Sequence, residues 1–236
     1  MLPRMMEDTE MPKFDITKLN VAIDQLLETT QNPRHRFMLQ AYARHRALEL
    51  AGRFEEIFAP EMMSMNPVYH FSQAGNELVL RGQDEVKSLY RMWAETNQSI
   101  FFIETEEVAV ADHFICSVAT SYQQVSGTAL RQAKILKHLP HKFAHALVEK
   151  ALTARGFKAN DNDVYLYRTP GMQMVWPYDD RCRLIGEDVW EPEPSKAEIH
   201  RLEPGEVLST EQAAKLLAPI IKPLPAFDEA TMGVRR

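Results

Sequence analysis

The spacing of apolar positions changes period along the chain, and the changes divide it into elements. The first third is helical. Leu19, Ile23, Leu26 and Leu27 form one stripe behind Asp15, which is placed to cap a helix over TKLNVAIDQLLETT. Asn32-Pro33 marks a second helix start, with Asn as the cap and Pro in the first turn. That helix runs through HRFMLQAYARHRALELA and stops at Gly52. FEEIFAPEMM gives a shorter helix that closes near Pro60. Strand-like stretches then take over. NPVYHF reads as a strand, with ELVLR as a further candidate, and Gly82 precedes QDEVKSLYRMWAET, an amphipathic helix carrying Val86, Leu89, Tyr90 and Trp93.

FFIETEEVAVADHFICSVATSYQQV reads as two β-rich runs that fold back at Ala-Asp-His. LPHKFAHALVEKALTARGF interrupts as a helix over residues 139–156, with Pro140 at its start and Gly156 at its end. DVYLYR and GMQMVWPYDDRCRLIGEDVWE supply further strands, with a turn at Asp179-Asp180. Ser209 and Gln212 form a capping box for STEQAAKLL, and PIIKPLPAF ends extended. Helices followed by mostly antiparallel strands predict an α+β fold. The expected organisation is a loose arm over 1–14, a domain over 15–191 with a helical insertion at 139–156, and a C-terminal extension over 192–236.

Composition narrows the function classes. The 236 residues are 45% hydrophobic and 25% charged, enough to bury a core, and the net charge of −6 argues against nucleic acid and anionic lipid as partners. The acidic N-terminus lacks the apolar run of a signal peptide and no window approaches a membrane span, so a cytoplasmic location without membrane contact is expected. Cys116 and Cys182 lack metal-site spacing and read as free thiols. His141, His145 and Glu149 share one face of the inserted helix, with His138 before it. An eight-residue separation spans about 12 Å, too far for one ion, so no metal is assigned. GxGxxG, P-loop, HExxH and GxSxG patterns do not occur.

Three stretches, AYARHRALELAGRFEEIFAPEMMSMNPVYHF, LRGQDEVKSLYRMW and YDDRCRLIGEDVWE, taken in order, resemble the nuclear transport factor 2 superfamily. That superfamily includes SnoaL-like polyketide cyclases, scytalone dehydratase and ketosteroid isomerase. The resemblance spans about residues 33–126 and 163–191. It implies a cone, in which helices close a curved antiparallel sheet around an apolar pocket. The ketosteroid isomerase pattern puts an oxyanion-donating tyrosine at Tyr42, which matches. Its catalytic base falls on Asn66, an amide, and its second acid falls near Met174, so two of the three members are absent. The histidine that dehydratases carry on the third helix has no counterpart in SLYRMWAET.

Strand alternation offers another set. With Asn66 inward, Val68 and His70 share its face, and an inward histidine serves as acid or base near neutral pH. Asp188, or Glu191 beside it, is a second candidate base, depending on the phase of the last strand. Tyr42 and Arg81 would hold developing negative charge. Met172, Met174, Trp176 and Tyr178 alternate together as an apolar wall, with Trp93 and Tyr122 of similar character. Asp112-His113 falls on the hairpin turn, where both residue types are at home for conformational reasons.

The expectation is a cofactor-independent lyase, dehydratase or isomerase acting on a hydrophobic aromatic or polycyclic alcohol. A lignin-derived diarylpropane diol losing water and formaldehyde is the form that the resemblance suggests. The catalytic candidates are His70, Tyr42, Arg81 and Asp188; the substrate wall is Asn66, Val68, Trp93, Tyr122, Met174, Trp176 and Tyr178. The alternatives are a non-catalytic binding or dimerisation module and an epoxide hydrolase, which would need an Asp-Arg-Asp set. The resemblance also implies a homodimer or higher homo-oligomer formed through the outer face of the sheet, and the proline-rich tail is a candidate to wrap a partner subunit.

Overall fold

A computed structural model describes residues 4–5, 14–73, 76–128 and 162–231. Asp15 accepts the Thr17 N–H and so caps a single turn, Ile16–Lys18, after which Asn20 opens helix α1 (Val21–Thr29). The continuous helix expected there is therefore broken in two. Helix α2 (Pro33–Leu50) starts as its sequence dictates. The Asn32 side chain accepts the N–H groups of Arg34 and His35 at 2.9 and 3.4 Å, and the chain leaves the helix at Gly52 with φ of +64°. Helix α3 (Gly82–Glu95) follows directly on the strand that ends at Arg81.

Strands β1 (Arg4–Met5), β2 (Met63–Gln73), β3 (Asn76–Arg81), β4 (Phe101–Ala111), β5 (Phe114–Ser126), β6 (Val164–Pro177), β7 (Leu184–Trp190) and β8 (Glu198–Arg201) form one mixed sheet. β4, β5 and β6 are consecutive antiparallel neighbours. The far edge of β6 forks: its first part pairs with β8 and its second with β7. β7 then runs parallel to β2, which pairs antiparallel with β3. The result is a curved, unclosed α+β sheet of the expected class. DVYLYR and GMQMVWPY are one continuous strand rather than two. The helix expected at 139–156, with its histidines, lies outside the described residues.

Two cores result. The main one sits between α2, α3 and the inner face of β2, β5, β6 and β7. The second gathers Leu50, Phe102, Tyr122, Leu166 and Leu217 near the opposite end of α2. The C-terminal extension packs on its own chain. Helix α4 (Thr210–Leu217) carries the expected Ser209–Gln212 capping box, and Leu224 and Phe227 reach the main core. Phe227, at the start of α5 (Phe227–Thr231), meets Phe37 edge-on at 5.5 Å. Helix α2 is thus covered on two sides, which is why it is buried over far more than one stripe.

Two details set the geometry of the sheet. The β2–β7 register shifts between Met63 and Val68, and Gly186 faces that irregularity: a Cβ there would lie 2.1 Å from the Val68 carbonyl oxygen. At one end, the Arg34 guanidinium donates to the backbone oxygens of Asp179 and Asp180, both at 2.6 Å, and of Asp112 at 2.5 Å. One side chain thereby ties the β4–β5 turn and the β6–β7 turn to the first turn of α2.

Candidate functional site

Position β2 first, because its phase decides which residues meet the interior. Pro67 and Tyr69 point into the main core, whereas Met65, Asn66 and His70 point out. This reverses the expectation for Asn66 and His70. The register shift before Val68 puts two successive residues, Met65 and Asn66, on the outside, and alternation then runs regularly from Asn66 in the outward phase, which carries His70 out as well. On the outer face His70 Nδ1 lies 2.5 Å from Asp188 Oδ1, with side chains 50% and 54% exposed. Arg81 is also exposed, and its backbone N–H donates to Glu85. Three of the four proposed catalytic residues therefore lie away from the inner face. Only Tyr42 is on it.

The inner face carries a different set. Tyr42, His45, Arg46 and Glu49 recur on α2 at i, i+3, i+4 and i+7, a single helical face. Tyr69 comes from β2, Tyr90 from α3, Glu106 from β4, Ser117 from β5, Trp176 from β6 and Glu187 from β7. Arg46 Nη1 donates to both Glu106 oxygens at 3.2 and 2.9 Å, with the two side chains only 3% and 1% exposed. The Tyr42 hydroxyl donates to Glu106 Oε1 at 3.3 Å and lies 3.4 Å from Ser117 Oγ. His45 Nε2 and the Tyr90 hydroxyl share a hydrogen bond of 2.9 Å. Trp176 stands between, its ring 4.6 Å from that of Tyr42 and 4.8 Å from that of His45.

Burial governs the protonation of this set. It pushes His45 down to about 3, helped by the charge of Arg46, so the imidazole is neutral at physiological pH. It pushes Glu49 up to about 8 against the pull of Arg46. Glu49 nonetheless keeps some accessible surface, which puts it at the edge of the packing rather than within it. Glu187 is raised well above the usual carboxylate range, first by burial and then by the charges of Glu49 and Asp188. The phenols of Tyr42, Tyr69, Tyr90 and Tyr178 are all raised, again chiefly by burial. At neutral pH the inner face thus presents two carboxylic acids, a neutral imidazole and one buried ion pair. Acids held neutral this way can donate protons.

Of the expected wall, Met174, Trp176 and Tyr178 lie in the main core, with Trp93 partly buried against it. Val68 is half-buried opposite Gly186. Tyr122 sits in the second core beneath Arg168, so it does not join the others. His45, Arg46, Glu49, Tyr69, Tyr90, Glu106, Ser117 and Glu187 were not foreseen. The spacing of His45, Arg46 and Glu49 from Tyr42 was the signal available for the first three. Among the described residues no group of three or more His, Cys, Asp or Glu side chains is placed to hold a metal ion. No described helix is long and apolar enough to cross a membrane.

No family model matches the sequence, and neither does any curated protein. Solved structures do show likeness in shape. A nuclear transport factor 2-like protein from Anabaena variabilis superposes over 69% of this chain and 92% of its own, at 8% identity and a TM-score of 0.41. The epoxide hydrolase/cyclase-like enzyme SalBIII, of pyran ring formation in salinomycin, covers 76% of this chain and 98% of its own, at 7% identity and a TM-score of 0.39. A phenazine biosynthesis-related protein from Pseudomonas aeruginosa covers 74% and 80%, at 9% identity and a TM-score of 0.35. Likeness this distant does not extend to chemistry.

Proposed function

We propose that this chain is a cofactor-independent acid–base enzyme, a lyase, dehydratase or isomerase, acting on a hydrophobic aromatic or polycyclic oxygenated molecule. The observation that supports it most directly is that Glu187 and Glu49, held as neutral acids, share one aromatic-lined face with the Arg46–Glu106 ion pair. In this reading Glu187 protonates a departing hydroxyl or a carbonyl oxygen. Glu106 accepts the proton that leaves carbon, and Arg46 balances the charge that develops. A lignin-derived diol releasing water and formaldehyde is one substrate of this kind. Turnover of a panel of aromatic and polycyclic alcohols, followed by ultraviolet absorbance and formaldehyde release, tests the proposal with Glu187→Gln alongside. A new conjugated chromophore that fails to form with Glu187→Gln supports it; saturable binding without turnover favours the non-catalytic binding module.

One observation also favours an epoxide hydrolase. Arg46 is bonded to Glu106 and acts electrostatically on Glu49 and Glu187. A neutral acid can protonate an epoxide oxygen while the paired carboxylate activates water. Epoxides belong in the same panel for that reason. A homodimer through the outer sheet face is a separate proposal, supported by exposed Val79, Val175 and Trp190 around the His70–Asp188 pair. Light scattering decides it, since a monomeric mass removes the idea.

A further inference from the structure

The C-terminal extension is held in two different ways. Its first half is locked. Gln124 donates through Nε2 to the Leu208 oxygen at 2.8 Å and accepts the Leu208 N–H at Oε1, 3.1 Å away. Thr210 donates its N–H to Asn97 Oδ1 and its hydroxyl to the Ala94 oxygen, both at 2.8 Å, and α4 buries Ala213 and Leu217 completely. The second half, residues 222–231, lies on the surface, and none of its residues is fully buried. Among the described residues its backbone makes one hydrogen bond to the rest of the chain, accepted by the Lys222 oxygen from Arg44 Nη1 at 2.8 Å. What holds it otherwise is side chains. Leu224, Phe227 and Ala230, every third residue, pack against the main core. Phe227 meets Phe37 edge-on, and the Arg181 guanidinium stands 5.0 Å from the Phe227 ring centroid and 3.9 Å from the Asp228 carboxylate. Phe37 and Arg44 are seven residues apart, so these contacts line up along one face of α2. Residues 221–226, with Pro223 and Pro225 among them and Pro219 just before, have no regular secondary structure. Proline keeps such a connection extended and stiff.

A segment held in this way is a short amphipathic ligand tethered to its own receptor. Every group it touches is also carried by a second copy of the chain, so docking in one chain and docking between two differ only in the tether. We propose that residues 222–231 are an exchangeable strap, and that the Phe37–Arg44 face of α2, together with Arg181, is a docking site for the same segment of a second copy. The locked first half fixes where the exchange would hinge, between α4 and Pro223. This surface is distinct from the outer sheet face, and the proposal stands independently of the acid–base reading.

Fluorescence anisotropy tests this with a labelled peptide of residues 219–231, titrated with the full wild-type chain and with full-length Phe227→Ala. In wild type the tethered strap competes at an effective concentration of about millimolar. Phe227→Ala removes the strap's aromatic anchor and frees the face, so the peptide should bind that chain about tenfold tighter than wild type or better. A peptide that itself carries Phe227→Ala should bind neither chain. Equal affinity for the two chains, no binding to Phe227→Ala, or binding that survives loss of the peptide's own phenylalanine would each overturn the proposal. Light scattering supplies a second measurement. Deleting residues 219–222 from the full chain shortens the tether by about 13 Å, so the strap no longer reaches its own α2. The mass should at least double relative to wild type, and Phe227→Ala added to the deletion should restore the wild-type mass. An unchanged mass, or a doubling that persists without Phe227, would count against exchange. Referring the mass to wild type separates this result from any pairing through the outer sheet face.

Discussion

Glu187 and Asp188 are adjacent carboxylates on one strand, and they live in opposite worlds. Glu187 is buried within electrostatic reach of Tyr69 and Glu49, and burial raises it well above the usual carboxylate range. Asp188 is half-exposed on the outer face and pairs with His70. Tyr69 and His70 repeat the contrast on β2. Chemistry available to the interior is thus assigned by a one-residue phase, not by residue type. His70 and Asp188, two candidate bases in the sequence, pair on the outer face, and an exposed pair of this kind contributes only about 0–1 kcal/mol.

The contrast can be broken most severely at the inner ion pair. Arg46→Met leaves Glu106 buried without its counter-charge and should cost about 3–5 kcal/mol in urea unfolding. Adding Glu106→Leu should recover much of that loss. Next comes Gly186→Ala. A Cβ 2.1 Å from the Val68 carbonyl oxygen must push β2 away from β7, the pairing that sets both phases. A loss of about 1–3 kcal/mol is expected, seen as a lowered melting temperature with weaker amide protection in both strands.

The pH dependence sharpens the comparison further. Glu49 holds its proton in the folded chain up to about 8 but gives it up near 4.5 when unfolded. The folded state binds more protons across that window, so this contribution to stability is complete below 4.5 and is lost as pH rises to about 8. Glu187 acts in the same sense. Wild-type stability measured by urea unfolding should fall from pH 6.5 to 8, above the range in which His45 acts in the opposite sense, and Glu49→Gln should flatten that fall. The smallest effects come from the neighbours on β2. Tyr69→Phe, which deletes a buried hydroxyl with no hydrogen-bond partner among the described residues, should be neutral or stabilising by up to about 1 kcal/mol. His70→Ala should stay within about 1 kcal/mol of wild type, and a larger loss would mean that the outer pair is not an ordinary surface one.

Much of the architecture was legible because it rests on local chemistry. Asn32-Pro33, Gly52 and the Ser209–Gln212 box set helix ends through their own backbone preferences and hydrogen bonds. Tyr42 was readable as an inner residue from its place on α2. The phase of β2 was not, because its irregularity depends on Gly186, more than a hundred residues away. Glu187 was hidden for the same reason. His45, Arg46 and Glu49 were legible in principle from helical spacing, whereas Glu106 and Ser117 join them only through long-range strand pairing.

The clamp made by Arg34 has a consequence for how this fold can vary. It grips main-chain oxygens of Asp112, Asp179 and Asp180 and reaches one side chain, His113 Nδ1 at 3.3 Å, so what it demands of the two turns is chiefly a path. Randomised libraries at Asp180 should be permissive, while inserting or deleting one residue in either turn should not. The two turns are also coupled through one guanidinium, so a graft that lengthens one would loosen the other. That end of the molecule is a fixed hub for engineering, and new loops are better sought elsewhere.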